Sequence, residues 1–347
     1  MAGDRSTDQQ PKFADLVLSG GGVKFIGLVG AVAALMDAGY SVKRASGVSA
    51  GSVVAAIVAA ASIGDQLSSQ DVRELALSVP LRTWRDAAPV PFLGPAVGLL
   101  RDASMYRGDV AYEWIRGELQ NLGVTKFGDL ALDEDHVPPE RRYKLVVTVA
   151  DVTIAQLVRL PWQYRRTYGL DPDEQLVADA VRASMAIPFF YPPVRLTSAT
   201  GRTSILVDGG VLTNFPIDSF DRPDGRPPRW PTFGITVLPR LTEGIDEVMP
   251  VLKPLRLFQQ TALLESLLTT MLVGHDQTEL SRPWVQARTI QVESSDVGVL
   301  DFDVSRKLLE EFFAKGYTAA QAFLSTWDWP AYLDQFRQSR WRQPAPD

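Results

Sequence analysis

The chain has no cysteine. Disulfides, thiolate nucleophiles and cysteine-ligated zinc or iron–sulfur sites are therefore excluded. Histidine is scarce as well, with only His136 and His275 in 347 residues, so a reaction that needs an imidazole has two candidates to draw on. Long basic runs are missing and the formal net charge is −6. That balance argues against nucleic acid as the main partner while leaving room for a local basic patch that meets anionic lipid. The longest apolar run, residues 53–63, is too short to span a bilayer. The opening MAGDRSTDQQPK has no apolar signal core. These absences predict a cytoplasmic protein. What is present, 46% hydrophobic and 22% charged residues, is the composition of a globular protein with enough chain for a sizeable core.

The most informative stretch is 15–51, DLVLSGGGVKFIGLVGAVAALMDAGYSVKRASGVSAG. A short apolar run at 15–19 stops at Gly20, Gly21 and Gly22, as a buried strand does when it ends in a turn. The apolar residues of 24–38 cover most of a helical circumference, which predicts a buried helix, and Gly39 supplies its left-handed stop. A second strand at 42–48 turns at Ser49 into the small-residue helix SVVAAIVAAA. Gly47-Val48-Ser49-Ala50-Gly51 is thus a G-x-S-x-G pattern at a strand-to-helix junction. Chance produces the pattern in roughly one chain in ten of this length, so its placement carries the meaning. On such a bend the serine hydroxyl is exposed, and glycine on both sides lets strand and helix approach closely. The N-terminus of the following helix adds a positive field beside it.

The glycine loop fails as a dinucleotide fingerprint because Phe25 stands where G-x-G-x-x-G needs glycine, and fails as a P-loop because Leu28 follows Gly27. Two readings remain: an oxyanion hole made of exposed backbone N–H groups before a helix, or a purely structural turn.

Further along, helices are expected at 65–78, 107–122, 174–185, 254–273 and 304–324, and strands at 143–149, 156–160, 204–207, 233–237 and 289–292. The apolar but proline- and glycine-broken stretch 89–100, flanked by Arg82, Trp84, Arg85 and Arg101, reads either as a loop tucked under the core or as an acyl-binding wall or lid. Asp133-Glu134-Asp135-His136 reads as a solvated loop rather than a metal site. Trp327, Trp329, Arg337, Arg340, Trp341 and Arg342 read either as edge packing or as membrane contact. The second chemical feature lies at 208–216, where Asp208 ends a strand and Gly209 and Gly210 permit a tight turn.

A serine nucleophile needs a proton acceptor. A triad of Ser49, Asp208 and His275 is formally possible, but Ser49 follows only two strands, too early for an α/β-hydrolase. The simpler arrangement is a Ser49–Asp208 dyad, with both residues at strand ends on one edge of an open sheet. An aspartate that merely shapes its turn is the alternative.

Taken together, GGGVK, GVSAG, AVRASMAIPFFYPPV and DGGVLTNFPID, in this order and spacing over about residues 14–218, resemble the patatin-like phospholipase family. The late LLEEFFAKGYTAA is similar to bacterial members as well. The resemblance implies a three-layer α/β/α fold with a central, mostly parallel sheet, as a single domain over 12–330 between tails at 1–11 and 331–347. It implies a lipid acyl hydrolase that needs neither metal nor cofactor, acting on phospholipid or another acyl lipid with transient membrane-surface contact and an activator left undefined; a soluble esterase or thioesterase and a catalytically silent lipid-binding scaffold are the alternatives. It carries the nucleophile onto Ser49, the base onto Asp208 and the oxyanion hole onto Gly20, Gly21, Gly22 and Val23. Gly47, Gly51, Gly209 and Gly210 support these. Lys24 stands where the family has Arg or Lys, with a loop-fixing or headgroup role. The departure is Phe25, where the family pattern usually has glycine. Its ring must be housed, which leaves open the width of the pocket and the headgroup it admits.

Overall fold

A computed structural model of the chain describes residues 12–64, 66–86, 104–133, 137–222, 224, 226–239, 279–294 and 302–336. The tail at 1–11, the apolar loop at 89–100, His136, His275, the expected helix at 254–273 and the Arg337–Arg342 segment lie outside the described residues.

Among the described residues eight strands form one sheet. Strands β1 (Lys12–Leu18), β2 (Tyr40–Val48), β7 (Thr232–Pro239) and β8 (Thr289–Ser294) are joined by parallel pairings, with β1 between β2 and β7 and β8 outside β7. The first four residues of β3 (Leu145–Asp151) continue the parallel array on β2. Beyond β3 the pairing turns antiparallel, with β4 (Gln156–Leu160), β6 (Thr203–Asp208) and, on β6, β5 (Val194–Thr197). Helices flank this mixed, mostly parallel sheet, as expected of an α/β fold. Among the described residues no helix is long and apolar enough to cross a membrane.

The centre is buried on both faces. Helix α1 (Phe25–Asp37) is buried from Phe25 through Leu35, which agrees with its all-round apolar pattern. Its outer side is covered by the long helix Arg306–Thr326, and the two helices cross at glycines. A Cβ on Gly30 would collide with the Phe313 carbonyl, and one on Gly316 with the Gly27 carbonyl. Helix α2 (Ala50–Ala61) is buried along its whole length, consistent with its run of small residues. The opposite face of the sheet carries the segment after β6: Phe215 and Ile217 lie over Gly234, and Ser46 Oγ donates to Ser219 Oγ (3.1 Å).

Two differences from the expected elements have a local cause. Helix α3 (Ser69–Ser78) starts later than residue 65, because Ser68 and Asp71 form a reciprocal capping box that fixes its first turn. Strand β5 was hidden by Pro188, Pro192 and Pro193, which bring the chain to a sheet edge where proline is tolerated. Trp329–Phe336 is a helix with Tyr332 buried, and Trp327 packs edge-on against Phe233 at 5.1 Å. Trp327 and Trp329 therefore pack at the edge of the domain.

Candidate active site

The turn after β2 is a single residue. β2 ends at Val48, α2 begins at Ala50, and Ser49 bridges them at φ 53° and ψ −134°. A non-glycine residue holds a positive φ only where its surroundings enforce it. Here they do. A Cβ on Gly47 would collide with the Gly51 carbonyl, and one on Gly51 with the Ser19 carbonyl, so strand, helix and β1 meet with no room for side chains. The Ser49 N–H donates to Ser184 Oγ (2.8 Å), whose hydroxyl donates on to the Thr148 carbonyl (2.7 Å). Ser52 Oγ donates to the Ser49 carbonyl (2.6 Å). Both backbone polar groups of the strained residue are thus tied down. Sequence reasoning missed Ser184 and Ser52; for Ser184 the available signal was its place inside AVRASMAIPFFYPPV.

Asp208 arrives from the opposite direction. β4 occupies one edge of β3, and β2 and β6 share the other, end to end: Val48 pairs with Thr148, and Asp208 with the next residue, Val149. The parallel strand running up and the antiparallel strand running down therefore stop against each other. Ser49 Oγ donates to Asp208 Oδ2 at 2.6 Å. The other carboxylate oxygen accepts the Gly210 N–H (2.8 Å), and the Asp208 N–H donates to the Ala186 carbonyl (2.9 Å). Gly209 has no room for a side chain, since a Cβ would lie 2.6 Å from the Thr148 carbonyl and 2.8 Å from Val48 Cγ2. Asp208 has no exposed surface. Desolvation outweighs its hydrogen bonds and pushes its pKa up to about 7. A carboxyl group that exchanges its proton near neutrality suits proton transfer in both directions.

The glycine loop lies against this pair. A Cβ on Gly20 would collide with Asn214 Oδ1 and come 3.0 Å from Ser49 Cβ. Gly22 takes φ 53° and opens a 3₁₀ turn, Gly22–Lys24, that runs into α1. One expectation is corrected here. The Gly20 N–H donates to the Asn214 carbonyl (3.1 Å), so Gly20 anchors the loop and is not a donor for an oxyanion. The N–H groups of Gly21, Gly22 and Val23 donate to nothing among the described residues. Lys24 is buried, only 3% exposed.

Beside Ser49 the structure leaves an apolar cavity of about 20 Å³, bounded by Gly22, Val23, Phe25, Trp84, Phe190 and Phe302 among others. The Phe25 ring that the sequence left without a place forms part of this wall.

Comparison with known proteins agrees with the resemblance read from the motifs. The family model described as patatin-like phospholipase matches residues 16–221. An uncharacterized Bacillus subtilis protein, YqhO, is 32% identical over 316 residues, covering 91% of this chain and 99% of its own length. An uncharacterized NTE family protein of Mycobacterium tuberculosis, MT2641, is 28% identical over 331 residues, which is 46% of its length. Among solved structures, VipD from Legionella pneumophila is similar at a TM-score of 0.47 and 17% identity, covering 91% of this chain and 67% of VipD. The type III effector ExoU is similar at a TM-score of 0.46 and 17% identity, covering 91% of this chain and 53% of ExoU.

Proposed function

The chain belongs to the patatin-like phospholipase family, and from that premise we propose that it is a lipid acyl hydrolase acting through a Ser49–Asp208 dyad. The observation that carries the reading is the 2.6 Å hydrogen bond from Ser49 Oγ to a fully buried carboxylate whose pKa lies near 7. Ser49 Oγ attacks the acyl carbonyl carbon while its proton passes to Asp208 Oδ2. The carbonyl oxygen, now negative, is held by the N–H groups of Gly21, Gly22 and Val23. Collapse breaks the ester bond, and the departing alkoxide takes the proton from Asp208. Water then repeats the sequence on the acyl-serine: its proton goes to Asp208, its oxygen to the acyl carbon, and Ser49 recovers its hydrogen as the free acid leaves. Removing one oxyanion donor typically costs about 3 kcal/mol of transition-state stabilisation, so the loop and the dyad share the work.

The substrate class is a phospholipid or related acyl lipid, met in transient contact with a membrane surface and with an activator where one is needed. The test is release of free acid from phospholipid dispersions carrying acetyl, hexanoyl or palmitoyl chains, comparing the protein with Ser49→Ala. Release confined to the parent protein is expected. Equal release by Ser49→Ala would overturn the dyad. Labelling of Ser49 by a fluorophosphonate probe is the companion measurement.

A further inference from the structure

We propose that Phe25, stacked on Trp84, sets the length of the acyl chain accepted at Ser49 and restricts the site to short acyl esters. This rests on the reading of Ser49 as the acylated residue. Phe25 is the first residue of α1, and helical side chains lean back toward the N-terminus, so its ring is carried toward the glycine loop. The ring is 4% exposed and lies parallel to Trp84, with centroids 6.4 Å apart and planes 5° apart. Trp84 in turn meets Phe302 at 6.5 Å, and Phe302 stacks on Phe190 at 5.4 Å. The four rings make a continuous wall around the cavity that touches Ser49.

Apart from Ser49, the Trp84 indole and the Tyr191 hydroxyl, the side chains that bound the cavity are apolar. It therefore suits the hydrocarbon end of an acyl group better than a charged headgroup. Its size is the restriction. One water molecule needs about 10–15 Å³ of such space, and this cavity provides about 20 Å³, enough for the first carbons beyond the carbonyl. A longer chain must part the stack. Phe25 is the ring to vary, because Trp84 also packs on Trp114 at 5.8 Å, its carbonyl receives the Tyr191 hydroxyl (2.9 Å), and Phe190 also meets Tyr106 at 4.8 Å.

The experiment measures kcat/KM on monomeric p-nitrophenyl acetate, butyrate and octanoate for the parent protein, Phe25→Ala, Phe25→Leu, Phe25→Trp and Ser49→Ala. The parent should prefer acetate or butyrate to octanoate by about tenfold or more. Phe25→Ala should raise the octanoate-to-acetate ratio by at least about tenfold, since each methylene that gains a buried place is worth about fourfold. Phe25→Leu should fall between, and Phe25→Trp should lower butyrate relative to acetate. A parent that prefers octanoate, or ratios that stay within about twofold across the Phe25 variants, would overturn the assignment. Leucine and tryptophan keep a large apolar group at the position, so they carry the test if the alanine variant does not fold. If Ser49→Ala hydrolyses the esters as fast as the parent, or the parent hydrolyses none, the reading of Ser49 itself fails. If Ser49→Ala is inactive and the ratios do not move, only the role of Phe25 falls.

Discussion

The turns after β1 and β2 are neighbours on one sheet, and each passes directly into a helix. The first, through Gly20, Gly21 and Gly22, places its positive φ on a glycine and leaves the N–H groups of three successive residues, Gly21 to Val23, without partners among the described residues. The second places its positive φ on Ser49 and leaves nothing loose, with the Ser49 N–H, carbonyl and hydroxyl each taken by a different serine or aspartate. One turn presents backbone and the other presents a side chain. The lesson is that a strained side chain is held by its neighbours' hydrogen bonds, whereas presented backbone needs only the absence of side chains.

Breaking the second turn should have the largest effect. Ser49→Gly keeps the bend and removes the hydroxyl; a loss of kcat/KM of at least about a thousandfold is expected, together with a gain in thermal stability, because glycine holds the positive φ without strain. Retained hydrolysis, or a lower melting temperature, would count against the description of the elbow. In the first turn, Gly22→Ala forces a side chain onto φ 53° and displaces the unpartnered N–H groups. Loss of about a hundredfold in kcat with little change in KM is the expected result in steady-state kinetics.

Asp208 gives the comparison a pH axis. As a base it must be ionised, so kcat/KM should rise about tenfold per pH unit in the acidic range and level off above about 7. Stability should move the other way. The folded state raises the pKa of Asp208, so it binds more protons than the unfolded chain between the ordinary carboxylate range and about pH 7. Stability from this group is full below that window and declines as pH rises through it, by an amount on the order of a few kcal/mol. Urea unfolding at a series of pH values should show the decline in the parent and its absence in Asp208→Asn. The smallest effect is expected at Ser184→Ala, which strands the Ser49 N–H and the Thr148 carbonyl. A cost of about 1–3 kcal/mol in stability and about a tenfold fall in kcat are expected, with pH dependence unchanged; a shifted pH profile would mean that Ser184 acts on Asp208 as well as on the elbow.

Much of the site is written in local sequence. G-x-S-x-G marks the elbow because Gly47 and Gly51 are required by backbone contacts within a few residues of Ser49 and with the adjacent strand. Asp208-Gly209-Gly210 is legible for the same reason. Ser184 was legible only as part of AVRASMAIPFFYPPV, because its bridge from Ser49 to Thr148 spans distant parts of the chain. The motif groups Gly20 with Gly21, Gly22 and Val23 as a donor, and only the return of the chain at Asn214 removes it from that role.

By itself the sequence determined where the chain must turn, which helices must be buried and which two residues could do the chemistry, since backbone sterics and apolar periodicity act over a few residues. The tertiary structure decided what those residues become to each other. Ser49 and Asp208 are 159 positions apart, and they meet because β2 and β6 run in opposite directions into the same edge of β3. The proton affinity of Asp208 was settled at the same level, because a carboxyl group is desolvated by everything packed around it, and no short stretch of sequence contains that surrounding.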